Sequence, residues 1–205
     1  MRERETCLKK INKLMNKFIY LVLLSFLFVC FSIPLKAESK EKINKYIKGL
    51  NNFSSSFIQS EITNNSEGLL YKNKSRIKIE YTNPSNIEII ISKNKGMYFN
   101  KDLNEVEFFN PKNSIGEILY SIFFDENFLY SSNFIFESSF SIIKRLVIFD
   151  NKEYEISLHF ENRPIKIRRI KISGSDYNTD LGIYNIKLNE KFDKKFFSMI
   201  NPLAN

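Results

Sequence analysis

One histidine, two cysteines and two pairs of closely spaced carboxylates are the residues of this 205-residue chain that could do chemistry. His159 lies in a stretch where Tyr154, Ile156, Leu158 and Phe160 alternate with Glu155, Ser157, His159 and Glu161, which puts it on the charged face of a strand. A single histidine supports neither a nucleophile–base pair nor a metal site. Glu105 and Glu107 share a strand face and Asp125-Glu126 opens a loop, but neither pair stands beside a base or a second set of ligands. The sequence has no glycine-rich phosphate loop and no G-x-S-x-G elbow. The reading is a protein without catalytic residues, without a metal site and without a cofactor. It is not expected to be an enzyme.

Both cysteines, Cys7 and Cys30, fall in the first 37 residues. That region is basic, then uncharged and apolar from Phe18 to Ile33, then Pro34 and a Leu35-Lys36-Ala37 site. This is the layout of a secretory signal peptide, and its apolar run of 16 residues is shorter than the roughly 20 a spanning helix needs. Residues 1–37 are therefore expected to be a leader cleaved after Ala37, with a retained anchor as the alternative; Met15 serves as a start as well as Met1. Val29 before Cys30 departs from the small residue that precedes a lipidated cysteine, so Cys30 is not read as a lipid attachment site. Removing the leader takes seven basic and two acidic residues and leaves a net charge of +3 in place of +8. What remains interleaves Lys and Glu with no basic stripe, which excludes a nucleic-acid partner. Without cysteine, residues 38–205 must stand on a hydrophobic core, and they are enough for one domain.

The elements follow from periodicity. Ile43, Tyr46, Ile47 and Leu50 recur at helical spacing within Ser39–Asn52, and Gly49 and Asn51-Asn52 mark its end. The period then drops to two. Ile77, Ile79 and Tyr81 alternate with Arg76, Lys78 and Glu80; a turn at Asn83–Asn86 leads to Ile87, Ile89 and Ile91, and a turn at Lys93–Gly96 leads to Met97–Phe99. Ser114–Phe124 reads as a second amphipathic helix, with Ile115, Ile118, Leu119, Ile122 and Phe123 on one face and a Ser114/Glu117 capping box. Strands resume at 134–136, 142–149, 153–160, 165–172 and 182–188, and a last helical turn is expected at 193–197. An α+β fold follows: an incomplete, open antiparallel β-barrel, or strongly curved sheet, with a helical lid enclosing a hydrophobic cavity.

Several of these segments together resemble the LolA-type periplasmic lipoprotein carriers. That family opens on an amphipathic helix and then an F-x-x-x-F-x-Q strand, the arrangement of Phe53, Phe57 and Gln59. Gly68–Lys72, the turn Asn73–Ser75 and the strand from Arg76 through Glu80-Tyr81 to Pro84 are similar to its glycine, its K-R-P-G turn and its E-Y-x-x-P strand. The stretch 87–100 and the closing Phe192-Asp193, Phe197 and Pro202 continue the likeness. The resemblance implies a carrier that takes acylated lipoproteins from an ABC-type releasing complex of the inner membrane and delivers them to an outer-membrane acceptor or membrane. It implies a single domain, a monomer, in the periplasm.

By strand parity, Phe57, Ile77, Ile79, Tyr81, Ile87, Ile89 and Ile91 would line the lipid cavity, and Ile43, Ile47, Ile118, Leu119 and Ile122 would form the lid. The family's K-R-P-G arginine latches lid to barrel; Asn73 stands at that position here, leaving Lys72, Lys74 or Arg76 as substitutes. Two other readings stay open on the same fold. One is a LolB-like outer-membrane acceptor, which the polar turn at 82–86 and Val29 disfavour; the other is a small-ligand, lipid-binding or sensing module.

Overall fold

The computed structural model describes residues 34–204, except 62, 63, 113, 126, 130, 150 and 176. The leader expected over 1–37 lies outside the described residues as far as 33, as do both cysteines and Glu126. The chain divides into two compact units, Met1–Glu41 and Lys42–Asn205, and everything that follows concerns the second. Helix α1 runs Pro34–Gly49. It starts five residues before the expected Ser39, with proline at a first-turn position that costs no hydrogen bond.

Eleven strands follow: β1 (Phe53–Ser60), β2 (Asn65–Lys72), β3 (Ile77–Asn83), β4 (Ile87–Ile91), β5 (Gly96–Asn100), β6 (Glu105–Phe109), β7 (Asn133–Phe136), β8 (Phe140–Phe149), β9 (Lys152–Asn162), β10 (Ile165–Gly174) and β11 (Asn178–Leu188). They make one antiparallel sheet in the order β6-β5-β4-β3-β2-β1-β11-β10-β9-β8-β7. Two meanders, β1–β6 and β7–β11, are thus joined by the pairing of β1 with β11, and the sheet stays open between its edges β6 and β7.

Helix α2 (Ile115–Phe124) lies in the connection between those two edge strands. The chain must cross from one edge of the sheet to the other there, and this explains why the helix packs over the inner face. Its N-cap is Ser114, whose Oγ accepts from the Gly116 N–H at 3.1 Å and donates to the Pro111 carbonyl at 2.6 Å. The capping bond goes to the second helical residue rather than to Glu117, whose own N–H donates to the Ser114 carbonyl.

The sheet curls. Ile89 and Ile91 of β4 stand five strands away from Ile170 and Ile172 of β10, about 24 Å across a flat sheet. All four nevertheless line one pocket. Bulges supply bending: one in β11 opposite Ser54–Ser56, where Asn185 takes a positive φ of 52°, one at Glu67/Gly68 and one at Arg168. The core on the concave side includes Phe53, Phe57, Ile77, Ile156, Leu158 and Phe160, each at most 1 % exposed and each worth about 1.5–3 kcal/mol of burial.

The bulge at Arg168 frees the Ile167 N–H from the β9 ladder, and the Tyr46 hydroxyl of α1 accepts from it at 3.2 Å. The Tyr46 ring meets Phe160 edge-on at 6.3 Å, so this part of α1 is anchored on β9 and β10.

The outer face departs from the alternation. Lys78, expected on a wet face, is buried, and so are Ile90 and Met97 beside it in the ladder. The cover on Lys78 and on Tyr71 next to it is the segment after β11. Phe192 and Phe196 lie against Tyr71 at 6.0 and 4.9 Å, and Lys78 Nζ stands 4.2 Å over the Phe196 ring. The Arg76 guanidinium donates to the Phe197 carbonyl. The turn expected at 193–197 is present, its Phe196 N–H donating to the Asp193 carbonyl at 3.0 Å.

Candidate functional site

Between the concave face and α2 lies an apolar pocket of about 250 Å³. The first meander supplies Phe57, Leu70, Ile77, Ile79, Ile89 and Ile91; the second supplies Ile170, Ile172 and Leu181. Helix α2 roofs it with Ile115, Leu119 and Phe123, and Phe109 of β6 closes one end. Phe53 against Phe123, at 5.6 Å, ties the roof to β1. Gly68 lets the wall close: a methyl group there would sit 2.1 Å from the Glu80 carbonyl oxygen and 2.7 Å from the Phe57 ring.

The pocket has one polar end, formed by Gln59, Tyr81, Tyr177 and Thr179. The Tyr81 hydroxyl donates to Gln59 Oε1 at 2.6 Å, and Gln59 Nε2 donates to the exposed Glu61 carboxylate at 2.7 Å. Burial, reinforced by Tyr177 and Glu61, holds the Tyr81 phenol well above its ordinary range. It is a neutral donor at any physiological pH.

Six of the seven residues expected to line a cavity border this pocket: Phe57, Ile77, Ile79, Tyr81, Ile89 and Ile91. Ile87 does not; it is half-buried, paired with Asn100 beyond the pocket's polar end. Of the expected lid residues only Leu119 borders the pocket. Ile43, Ile47, Ile118 and Ile122 are buried in the core beside it, because α2 turns Ile115, Leu119 and Phe123 toward the sheet's concavity. The β10 wall is absent from the expected lining, although the sequence carries its signal. The apolar positions 165, 167, 170 and 172 step by two, three and two, and the step of three is the bulge.

The family profile for outer membrane lipoprotein carrier protein LolA matches residues 48–200. The chain belongs to the LolA family. No curated protein matches it in sequence. Among solved structures it is similar to an uncharacterized conserved protein from Thermus thermophilus, at 8% identity over 78% of this chain and 90% of that one, with a TM-score of 0.48. It is also similar to a chain of the Pseudomonas aeruginosa MucA/MucB complex, at 11% identity over 78% of this chain and 60% of that one, TM-score 0.46. Likenesses at this level carry no argument about function.

For a LolA-family chain the latch position is informative, and the four candidate residues separate. Asn73 shapes the β2–β3 turn, its Oδ1 accepting from the N–H groups of Ser75 and Arg76 at 2.9 and 2.8 Å. Lys74 is exposed. Arg76 reaches the C-terminal segment on the outer face. Lys72 alone points inward. Its Nζ donates to the Leu50 carbonyl just after α1 at 2.7 Å and lies 4.4 Å over the ring of Phe124, the last residue of α2. Burial lowers its pKa to about 8.

Proposed function

We propose that this LolA-family chain is a non-catalytic carrier of acylated lipoproteins. It is exported on the leader 1–37 and acts as a monomer in the periplasm. There it takes its cargo from an ABC-type releasing complex of the inner membrane and passes it to an outer-membrane acceptor or to the membrane itself. One observation carries the reading: an apolar pocket roofed by α2, in a chain of the LolA family. Transferring acyl chains into such a pocket is worth about 0.8 kcal/mol per buried CH₂, which suffices to move them through water without covalent chemistry. At about 250 Å³ the pocket is smaller than the roughly 300 Å³ at which ligand sites begin. Loading therefore requires α2 to lift, and the contacts of Lys72 with Leu50 and Phe124 are the ones that resist it. The short polar turn Asn83–Asn86 favours carrier over acceptor, since an acceptor that inserts into a membrane needs an apolar loop.

The experiment is recovery of the exported protein from cells that make lipoproteins, followed by mass spectrometry of what accompanies it. Acylated lipoprotein is expected with the wild type and not with Ile79→Glu, which puts a carboxylate in the wall. An exported wild type free of any acylated species would rule the carrier reading out.

A further inference from the structure

We propose that the pocket takes its ligand in one sense only: an acyl carbonyl lies at the Gln59–Tyr81–Thr179 end and the hydrocarbon runs toward Ile77, Ile91 and Phe109. The inference rests on the carrier reading and adds to it the polar group recognised and the direction of the chain.

The sheet register fixes the two ends. Phe53, Lys72, Ile77, Ile91, Gly96 and Phe109 form one continuous row across β1 to β6. Six residues further along β1, Gln59 pairs with Leu181 of β11, and Thr179 follows two residues on. The rows stand about 20 Å apart along the strands. Every polar side chain of the lining belongs to the second end, whereas Ile115 and Phe109 close the first.

A pocket meant only for hydrocarbon has no use for these groups. Gln59 and Thr179 are 8% and 7% exposed, and a buried amide or hydroxyl left unmet costs about 1–3 kcal/mol. The Gln59 amide is clamped on both sides, accepting from Tyr81 and donating to Glu61, which sets its orientation. The bond to Glu61 uses one of the two Nε2 hydrogens; the other remains a donor, and hydrocarbon offers it no acceptor. An ester or amide carbonyl does. Glu61 is exposed, so this end opens to water, where the peptide part of an acylated ligand would leave the pocket.

The test measures binding of three probes to the full mature chain and to Gln59→Leu: a lipopeptide with two ester-linked acyl chains on a glyceryl-cysteine, its bis-ether analogue, and a peptide with one amide-linked acyl chain. The wild type is expected to bind the ester probe about tenfold more tightly than the ether probe, and Gln59→Leu is expected to erase that difference while still binding the ether. Tyr81→Phe, which keeps the ring and loses the donor that orients Gln59, should reduce the preference without lowering ether binding. A preference for the amide probe that Gln59→Leu abolishes, with esters and ethers equal, assigns the site to an amide carbonyl. Equal binding of ester, amide and ether by the wild type overturns the subsite and leaves the carrier reading standing. No binding of any probe overturns both.

Discussion

Lys72 Nζ donates to the Leu50 carbonyl at 2.7 Å from the concave face of the sheet, where a charged side chain is otherwise out of place. With the Phe124 ring 4.4 Å away, one ammonium joins the end of α1 to the end of α2. It is the contact through which a lid on this pocket is held.

Stability should depend on pH through this group. Its folded pKa, about 8, lies below the value of roughly 10.4 in an unfolded chain, so between those values the unfolded chain binds more protons. The wild type should therefore gain on the order of 2 kcal/mol relative to Lys72→Met as pH rises from 8 to 10.5. Urea midpoints at pH 7, 9 and 10.5 measure this. A gap between the two proteins that stays constant would show that Lys72 keeps its ordinary pKa.

Tyr46→Phe should destabilise the chain by about 1–3 kcal/mol, because the bulge at Arg168 leaves the Ile167 N–H with no other acceptor. Amide exchange at Ile167 should quicken in step with the loss. Unchanged exchange there would place the hydroxyl's effect elsewhere.

The segment after β11 should act as a clasp on the outer face. Phe197 is 4% exposed, and Phe197→Ala should cost about 3–5 kcal/mol in chemical denaturation. The same variant should lower the Tyr71 phenol from its raised value of about 12, since burial is the main cause of that shift, and ultraviolet titration reads it directly.

Gly68→Ala should lose at least about 1–3 kcal/mol, because the added methyl meets backbone at Glu80 as well as the Phe57 ring. Ligand capture should fall further than stability does, since Phe57 lines the pocket. Crystallography of the variant would show a displaced Phe57; an unmoved ring at wild-type stability would contradict the close approach.

Strand parity makes the concave wall legible from Phe57 to Ile91, because alternation records which face of a strand is apolar. Ile87 obeys the same parity yet lies beyond the pocket, since parity fixes a side chain's face and not its distance along the strand. Ile43, Ile47, Ile118 and Ile122 are readable as the buried stripes of two helices. Their choice between core and pocket is not, because helical spacing is the same for both. Lys78 escapes sequence reading for a related reason: alternation with charge marks a face as polar, but a cover arriving from 118 residues later in the chain buries it all the same.

The sequence by itself determined the local periods, the turns, the membership of the family and the absence of paired catalytic groups, all of which are set by residues near one another in the chain. Tertiary structure alone decided that β1 pairs with β11, that α2 crosses between the two open edges, and that Lys72 rather than its neighbours joins the helices. Those outcomes depend on sheet curvature and on backbone carbonyls such as that of Leu50, whose positions in space no side-chain pattern records.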